Sequence, residues 1–111
     1  MSYEGYSNYE TWIVKIWIDN DQGSYLYWQE CANDVFENSK PDRTFTRRER
    51  AKIYLADMLE SEIKGNAPEL TGTYADLLTA ALSAVDWQEI AGELIDDIDI
   101  DFDELTEDED A

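Results

Sequence analysis

The chain has 111 residues, with 27 Asp and Glu against 8 Lys and Arg, no His and one Cys, giving a formal net charge of -19. At 43% hydrophobic, with four Trp, seven Tyr and three Phe, it can still fill one core, which separates it from disordered chains of comparable charge. The missing His and the lone Cys31 exclude Ser-His and Cys-His nucleophiles, Cys/His zinc centres and an internal disulfide. No apolar run approaches the roughly 20 residues that span a bilayer, and no charged-then-apolar leader opens the chain. A protein of the reducing cytoplasm, away from the membrane, is expected.

Ser7-Asn8-Tyr9-Glu10 has the form of a capping box, so a first helix is expected to start there. Tyr9, Trp12, Ile13, Ile16 and Trp17 follow at the spacing of one helical face and are expected to point inward, leaving Thr11, Asp19, Asn20 and Asp21 for the surface. A strand is the second reading of this run. Asp19 to Gly23 reads as a turn, after which Ser24 caps a second helix reaching Asn38, with Tyr25, Trp28, Ala32, Val35 and Phe36 inward. Lys40-Pro41-Asp42 breaks the pattern.

Thr46-Arg47-Arg48-Glu49 is a second capping box. The helix it opens carries Ala51, Tyr54 or Leu55, Met58, Leu59 and Ile63 inward and is expected to close at Gly65. Past a loop marked by Pro68 and Gly72, Thr73 to Asp76 opens a short helix with Leu77, Leu78, Ala81, Leu82 and Val85 inward. Asp86 to Glu89 opens the last, with Trp87, Ile90, Ala91, Leu94, Ile95 and Ile98 inward. Beyond Ile98 two readings stay open. Ile98, Ile100 and Phe102 alternate with acids at the period of a strand, while Leu94, Ile98, Phe102 and Leu105 also fit a helical stripe. The expected architecture is all-α: a single compact domain over residues 1–105 of about five helices with an acidic carboxyl-terminal half, and an acidic frayed tail over 106–111.

Apart from Lys15, every base lies between Lys40 and Lys64, whereas fifteen acids and no base follow Lys64. Arg43, Arg47, Arg48 and Arg50 are therefore expected to pair with the chain's own acids or to orient an interface, and not to hold phosphate. Asp19 and Asp21, and again Asp97 to Glu104, echo the alternating ligands of a calcium loop. Ser24 stands where that loop requires glycine, however, and the second run has no glycine at all, so no metal site and no cofactor are assigned. Paired carboxylates suited to glycoside hydrolysis carry no specificity among so many acids. Cys31 reads as a small buried hydrophobe.

What remains is the acidic surface. B-DNA carries one negative charge per ~1.7 Å of axis, and proteins that grip it present a cationic channel. Rows of carboxylates on helices offer a similar charge density. The candidate partner-binding residues are Asp96, Asp97, Asp99, Asp101, Asp103 and Glu104, with Glu89 and Glu93 next.

Two blocks carry a family likeness. Asn8-Tyr9-Glu10-Thr11-Trp12 with Trp17-Ile18-Asp19-Asn20-Asp21-Gln22-Gly23, and Val85-Asp86-Trp87-Gln88-Glu89-Ile90-Ala91 with Leu94-Ile95, resemble a family of small uncharacterised proteins of phages, plasmids and bacterial accessory genomes. The resemblance implies mobile-element origin and brings no mechanism. In charge, size and helicity the chain is also similar to acidic DNA-mimic inhibitors, among them antirestriction and some anti-CRISPR proteins. The expectation is a binding protein without catalysis that inhibits a host nucleic-acid-binding defence complex, such as a CRISPR effector or restriction enzyme, by occupying its basic groove. It would bind no nucleic acid directly, and a homodimer would lengthen its acidic track. The alternatives are an interaction module anchored by aromatics such as Trp28 or Tyr25, and a weak divalent-cation binder.

Overall fold

A computed structural model describes residues 3–98. Asp99, Asp101, Asp103 and Glu104, the strand-or-helix alternative beyond Ile98 and the acidic tail at 106–111 lie outside the described residues. Within them the chain forms five helices, α1 (Tyr9–Asn20), α2 (Gln22–Asn38), α3 (Arg47–Gly65), α4 (Gly72–Ala84) and α5 (Trp87–Asp96), and its one β-type pairing is a bridge between Tyr3 and Tyr6. The all-α, single-domain expectation holds.

The core lies where α3 and α5 pack most extensively, with α2 laid against both. Ala51, Leu55, Ala56 and Leu59 of α3 meet Trp87, Ile90, Ala91, Leu94 and Ile95 of α5, and Trp28, Ala32 and Phe36 of α2 close the third side. The small Ala51, Ala56 and Ala91, all essentially fully buried, suit close approach of the helix backbones. At Gly92 the methylenes of Lys52 lie 3.7 Å from where a Cβ would stand, an ordinary contact distance. Burying each large side chain stabilises the fold by about 1.5–3 kcal/mol, which makes this seam the main source of stability.

The helix ends show why these segments fold as they do. Thr46 forms a complete capping box with Glu49, as the spacing predicts, and Asp86 accepts the Glu89 amide at 3.1 Å. Three helix starts differ from the expected residues: α4 begins at Gly72 behind Thr71, which makes no side-chain cap bond, and not at Thr73. Asn8, and not Ser7, caps α1, its Oδ1 accepting the Thr11 amide at 2.9 Å. Asp21, and not Ser24, caps α2, accepting the Gly23 amide at 3.1 Å. The expected turn from Asp19 to Gly23 is therefore a single residue: Asp21 ends α1 and begins α2. Asn, Asp and Ser cap about equally well, so the choice falls to Asn8 and Asp21 as the residues with extended backbone immediately before the first turn. Gly65 is the last helical residue of α3 and has no positive φ, so the helix ends through Asn66 in the right-handed region without a left-handed glycine cap.

Two helices sit differently from their sequence pattern. In α1 the buried residues are Thr11, Lys15 and Ile18, while Tyr9 and Trp17 are 51% and 70% exposed, the reverse of the expected orientation. The cause is polar. Thr11 Oγ1 accepts the Asp86 backbone amide at 2.9 Å and donates to Asn8 Oδ1 at 2.6 Å, and Asn8 Nδ2 donates to the Ala84 carbonyl at 2.7 Å. These bonds tie α1 to the α4–α5 joint by its Thr11 side. In α4 the expected inward residues include Leu77, yet Leu77 is 61% exposed, Tyr74 is 72% exposed and no residue of the helix is buried. Of this helix only Leu82 packs against the core cluster, followed by the buried Val85 just past its end. Of the choice between Tyr54 and Leu55, Leu55 is the buried residue.

Candidate partner-binding surface

The acidic half was read as one carboxylate row, and the described part of that row divides into three roles. Glu89 and Glu93, one turn apart on α5, are half-buried and face the amino-terminal segment. Tyr6 Oη donates to Glu93 Oε1 at 3.0 Å, and the Ser7 amide donates to Glu89 Oε1 at 2.9 Å. Glu93 Oε2 is buried with no hydrogen-bond partner among the described residues. The segment they hold is a tight turn, with Glu4 at φ 50° and Gly5 at φ 90°, closed by reciprocal Tyr3–Tyr6 backbone bonds of 2.6 and 2.7 Å. Burial and the neighbouring Glu93 carboxylate push the Tyr6 phenol well above the usual tyrosine range, so it remains a donor.

Asp96 has a second role. It accepts from Arg48 Nη1 at 2.6 Å, a pair whose side chains are both substantially exposed, so it joins α3 to α5 at modest energetic weight. Asp97 is exposed and is the residue at which α5 ends. It alone of the described candidates presents its carboxylate without a side-chain partner among the described residues.

Most of the bases are turned to the chain's own structure, whereas Lys40 and Arg43 are exposed and show no ion pair among the described residues, so the expected pairing of Arg43 with an acid is not found. Arg47 donates to the Phe36 and Glu37 carbonyls at 2.9 and 3.0 Å and stacks its guanidinium 4.6 Å from the Phe36 ring centre, closing the end of α2. Arg50 pairs with Asp42 beside Phe45 and Tyr54, and Lys64 pairs with Glu60 at 2.7 Å. Lys15 is buried and pairs with Asp19 at 2.7 Å. Apart from Lys40 and Arg43, the charge left for a partner is anionic. A shallow cleft of about 470 Å³ between the amino-terminal segment, α3 and the α4–α5 joint carries Asp57, Glu60 and Asp86 on its walls.

With Asp19 inside α1 on Lys15 and Asp21 spent as a cap, the Asp19 to Glu30 stretch does not form a calcium loop. Among the described residues no three His, Cys, Asp or Glu side chains gather in a metal-holding group. Cys31 is half-buried, and burial pushes its thiol up, away from a reactive thiolate. Trp28, named as an aromatic anchor, is buried in the core, and Tyr25 is half-buried with Gln29 on its hydroxyl at 2.9 Å.

Single exposed tyrosines lie on α2 (Tyr27), α3 (Tyr54) and α4 (Tyr74), while α1 carries two exposed aromatic residues, Tyr9 and Trp17. Tyr9, Ile13, Ile16 and Trp17 recur on its outer face. Tyr3 joins them, its ring edge-on to Tyr9 at 5.1 Å and 4.9 Å from Trp12. The signal for this was present in Val14 and Ile18, which make α1 apolar on nearly every side, and in Thr11 and Lys15 standing one turn apart as the one strip able to make polar ties.

No described helix is long and apolar enough to cross a membrane. No curated protein and no solved structure matches the chain. A family model does match, covering residues 1–110 and so both blocks of the sequence likeness, and the chain belongs to that family, the family of unknown function DUF7249.

Proposed function

We propose that this protein is a binding protein encoded by a phage or other mobile element, which inhibits a host nucleic-acid-binding defence complex of CRISPR or restriction type. It occupies the basic groove meant for DNA and performs no catalysis. The observation that carries the reading is the one-sidedness of the charge. Fifteen acids and no base follow Lys64, while Lys15, Arg48, Arg50 and Lys64 are each held by a carboxylate of the same chain. A partner therefore meets uncompensated negative charge, which speeds encounter with a cationic surface and makes affinity salt-dependent. Asp97 and the acids that follow it, Asp99, Asp101, Asp103 and Glu104, are the residues proposed to contact the groove. Asp96 contributes through its exposed side, and Glu89 and Glu93 contribute by fixing the amino-terminal segment on α5.

The test is capture of partners from nuclease-treated bacterial lysate on the immobilised protein, salt-gradient elution and identification by mass spectrometry, followed by competition with duplex DNA. The reading expects a nucleic-acid-binding complex that is retained at low salt, released at moderate salt and displaced by DNA. A partner that stays bound at high salt and ignores DNA would end it. Replacing Asp97, Asp99, Asp101 and Asp103 together by Asn is expected to leave the helical circular-dichroism spectrum intact and weaken binding strongly.

A further inference from the structure

The outer face of α1 is the least economical part of the fold. Its buried strip holds Thr11 and Lys15, while Tyr9 and Trp17 are left 51% and 70% exposed, with Ile13 and Ile16 half-buried between them. Residues at i, i+4, i+7 and i+8 share one side of a helix, so these four form a continuous stripe about 12 Å long, extended at its start by Tyr3 against Tyr9. Lone exposed hydrophobes need no explanation, but a contiguous apolar stripe ended by exposed aromatics is the kind of patch that marks an interaction surface.

The occupant follows from charge and shape. The only base of α1, Lys15, is buried on the opposite side and consumed by Asp19. Exposed Glu4 and Asp21 stand at the two ends of the stripe, with Glu10 beside it. Such a rim favours Lys and Arg. A second copy of this chain, bearing the same -19, would bring like charge against like, and the anionic surface of a bilayer would be repelled in the same way. A straight ridge of four side chains on a helix is matched by another helix laid along it. We propose that the Tyr9–Ile13–Ile16–Trp17 face of α1 docks a cationic amphipathic helix of a protein partner. Apolar side chains of that helix cover Trp17 and Tyr9, and its Lys and Arg reach Glu4, Glu10 and Asp21. This needs a cationic partner but not one that binds DNA, so it stands or falls apart from the groove-blocking reading.

Trp17, together with the half-buried Trp12 beside Tyr3 and Tyr9, also reports on this surface, because Trp28 and Trp87 are already buried. The probes are two synthetic Leu/Lys peptides of identical composition, one amphipathic as a helix and one scrambled so that it is not, titrated into the full chain with tryptophan emission as the readout. The amphipathic peptide is expected to shift the emission to the blue and to bind at least about tenfold more tightly than the scrambled one. With binding to the variants read by calorimetry, Trp17→Ser and, independently, Tyr9→Ser are expected to remove about that tenfold advantage while leaving the unfolding midpoint unchanged. The Asp97, Asp99, Asp101 and Asp103 to Asn variant is expected to weaken both peptides alike and to keep their ratio. Equal binding of the two peptides, or a preference that survives both serine substitutions, overturns the proposal. So does self-association in sedimentation that Trp17→Ser abolishes, or binding to anionic vesicles through Trp17.

Discussion

Helices α5 and α1 begin from similar material and end up opposite. Both are short, carry Ile and Trp, and are opened by a side-chain cap, yet α5 puts Trp87, Ile90, Ala91, Leu94 and Ile95 inside, with Glu89 and Glu93 half-buried under the amino-terminal segment and Asp96 exposed. Helix α1 puts Thr11, Lys15 and Ile18 inside and Tyr9 and Trp17 outside, with Trp12 half-buried. Apolar spacing on α5 leaves one face to choose, and hydrophobic burial chooses it. On α1 almost any face could be buried at similar gain, so hydrogen bonds decide. Each is worth only about 1 kcal/mol net, but a buried group left unpaired costs about 1–3 kcal/mol, enough to select among near-equal orientations.

Four substitutions would break or sharpen that contrast. Leu94→Ala, in the α3–α5 seam, should cost about 2–5 kcal/mol in urea unfolding; a cost under 1 kcal/mol would mean that burial there is not what holds the fold. Thr11→Val keeps the shape but leaves the Asp86 amide without its acceptor and Asn8 Oδ1 with only the backbone amide of residue 11, and should cost about 1–3 kcal/mol. Neutrality would remove the polar account of the orientation of α1. Tyr6→Phe releases the amino-terminal turn from Glu93 at a cost of about 1 kcal/mol near neutral pH. It should also alter the alkaline limb. The raised phenol of Tyr6 contributes stability that is fully present below its unfolded value near 10 and is lost as pH rises from there toward its higher folded value. The variant should therefore unfold with a shallower dependence on pH above about 10. Trp17→Ser, the removal of a large aromatic side chain, should change stability by no more than about 0.5 kcal/mol because it is exposed. A loss comparable to that of Leu94→Ala would place Trp17 in the core after all.

The sequence was readable where local chemistry and burial agreed. Thr46 with Glu49, Asp86 before Trp87, and the full inward stripe of α5 all stand as their spacing predicts. It misled where one of the two was nearly flat. Helix α4 has a good apolar stripe, but α1 is its main neighbour, so Leu77 stays in solvent. The rotation of α1 depends on Thr11 meeting Asp86, a contact across 75 positions that no local pattern encodes. The candidate site divides in the same way. That Arg48 would be taken up by the acidic half was legible from charge alone, whereas the use of Glu89 and Glu93 to hold Ser7 and Tyr6 depends on how the chain returns past α5.

The single-residue joint at Asp21 gives the outward Trp17 a geometric cause as well as an energetic one. With its carbonyl accepting the Tyr25 amide at 2.8 Å and its side chain accepting from Gly23, Asp21 already belongs to α2, leaving no slack through which α1 could roll about its axis. The azimuth of α1 is thus counted out by chain length. One helical residue added between Asn20 and Asp21 would turn every α1 side chain by about 100° relative to α2, carrying Thr11 away from Asp86 and swinging the Trp12 side inward. The residue number at this joint acts as a stop that decides which surface the protein shows.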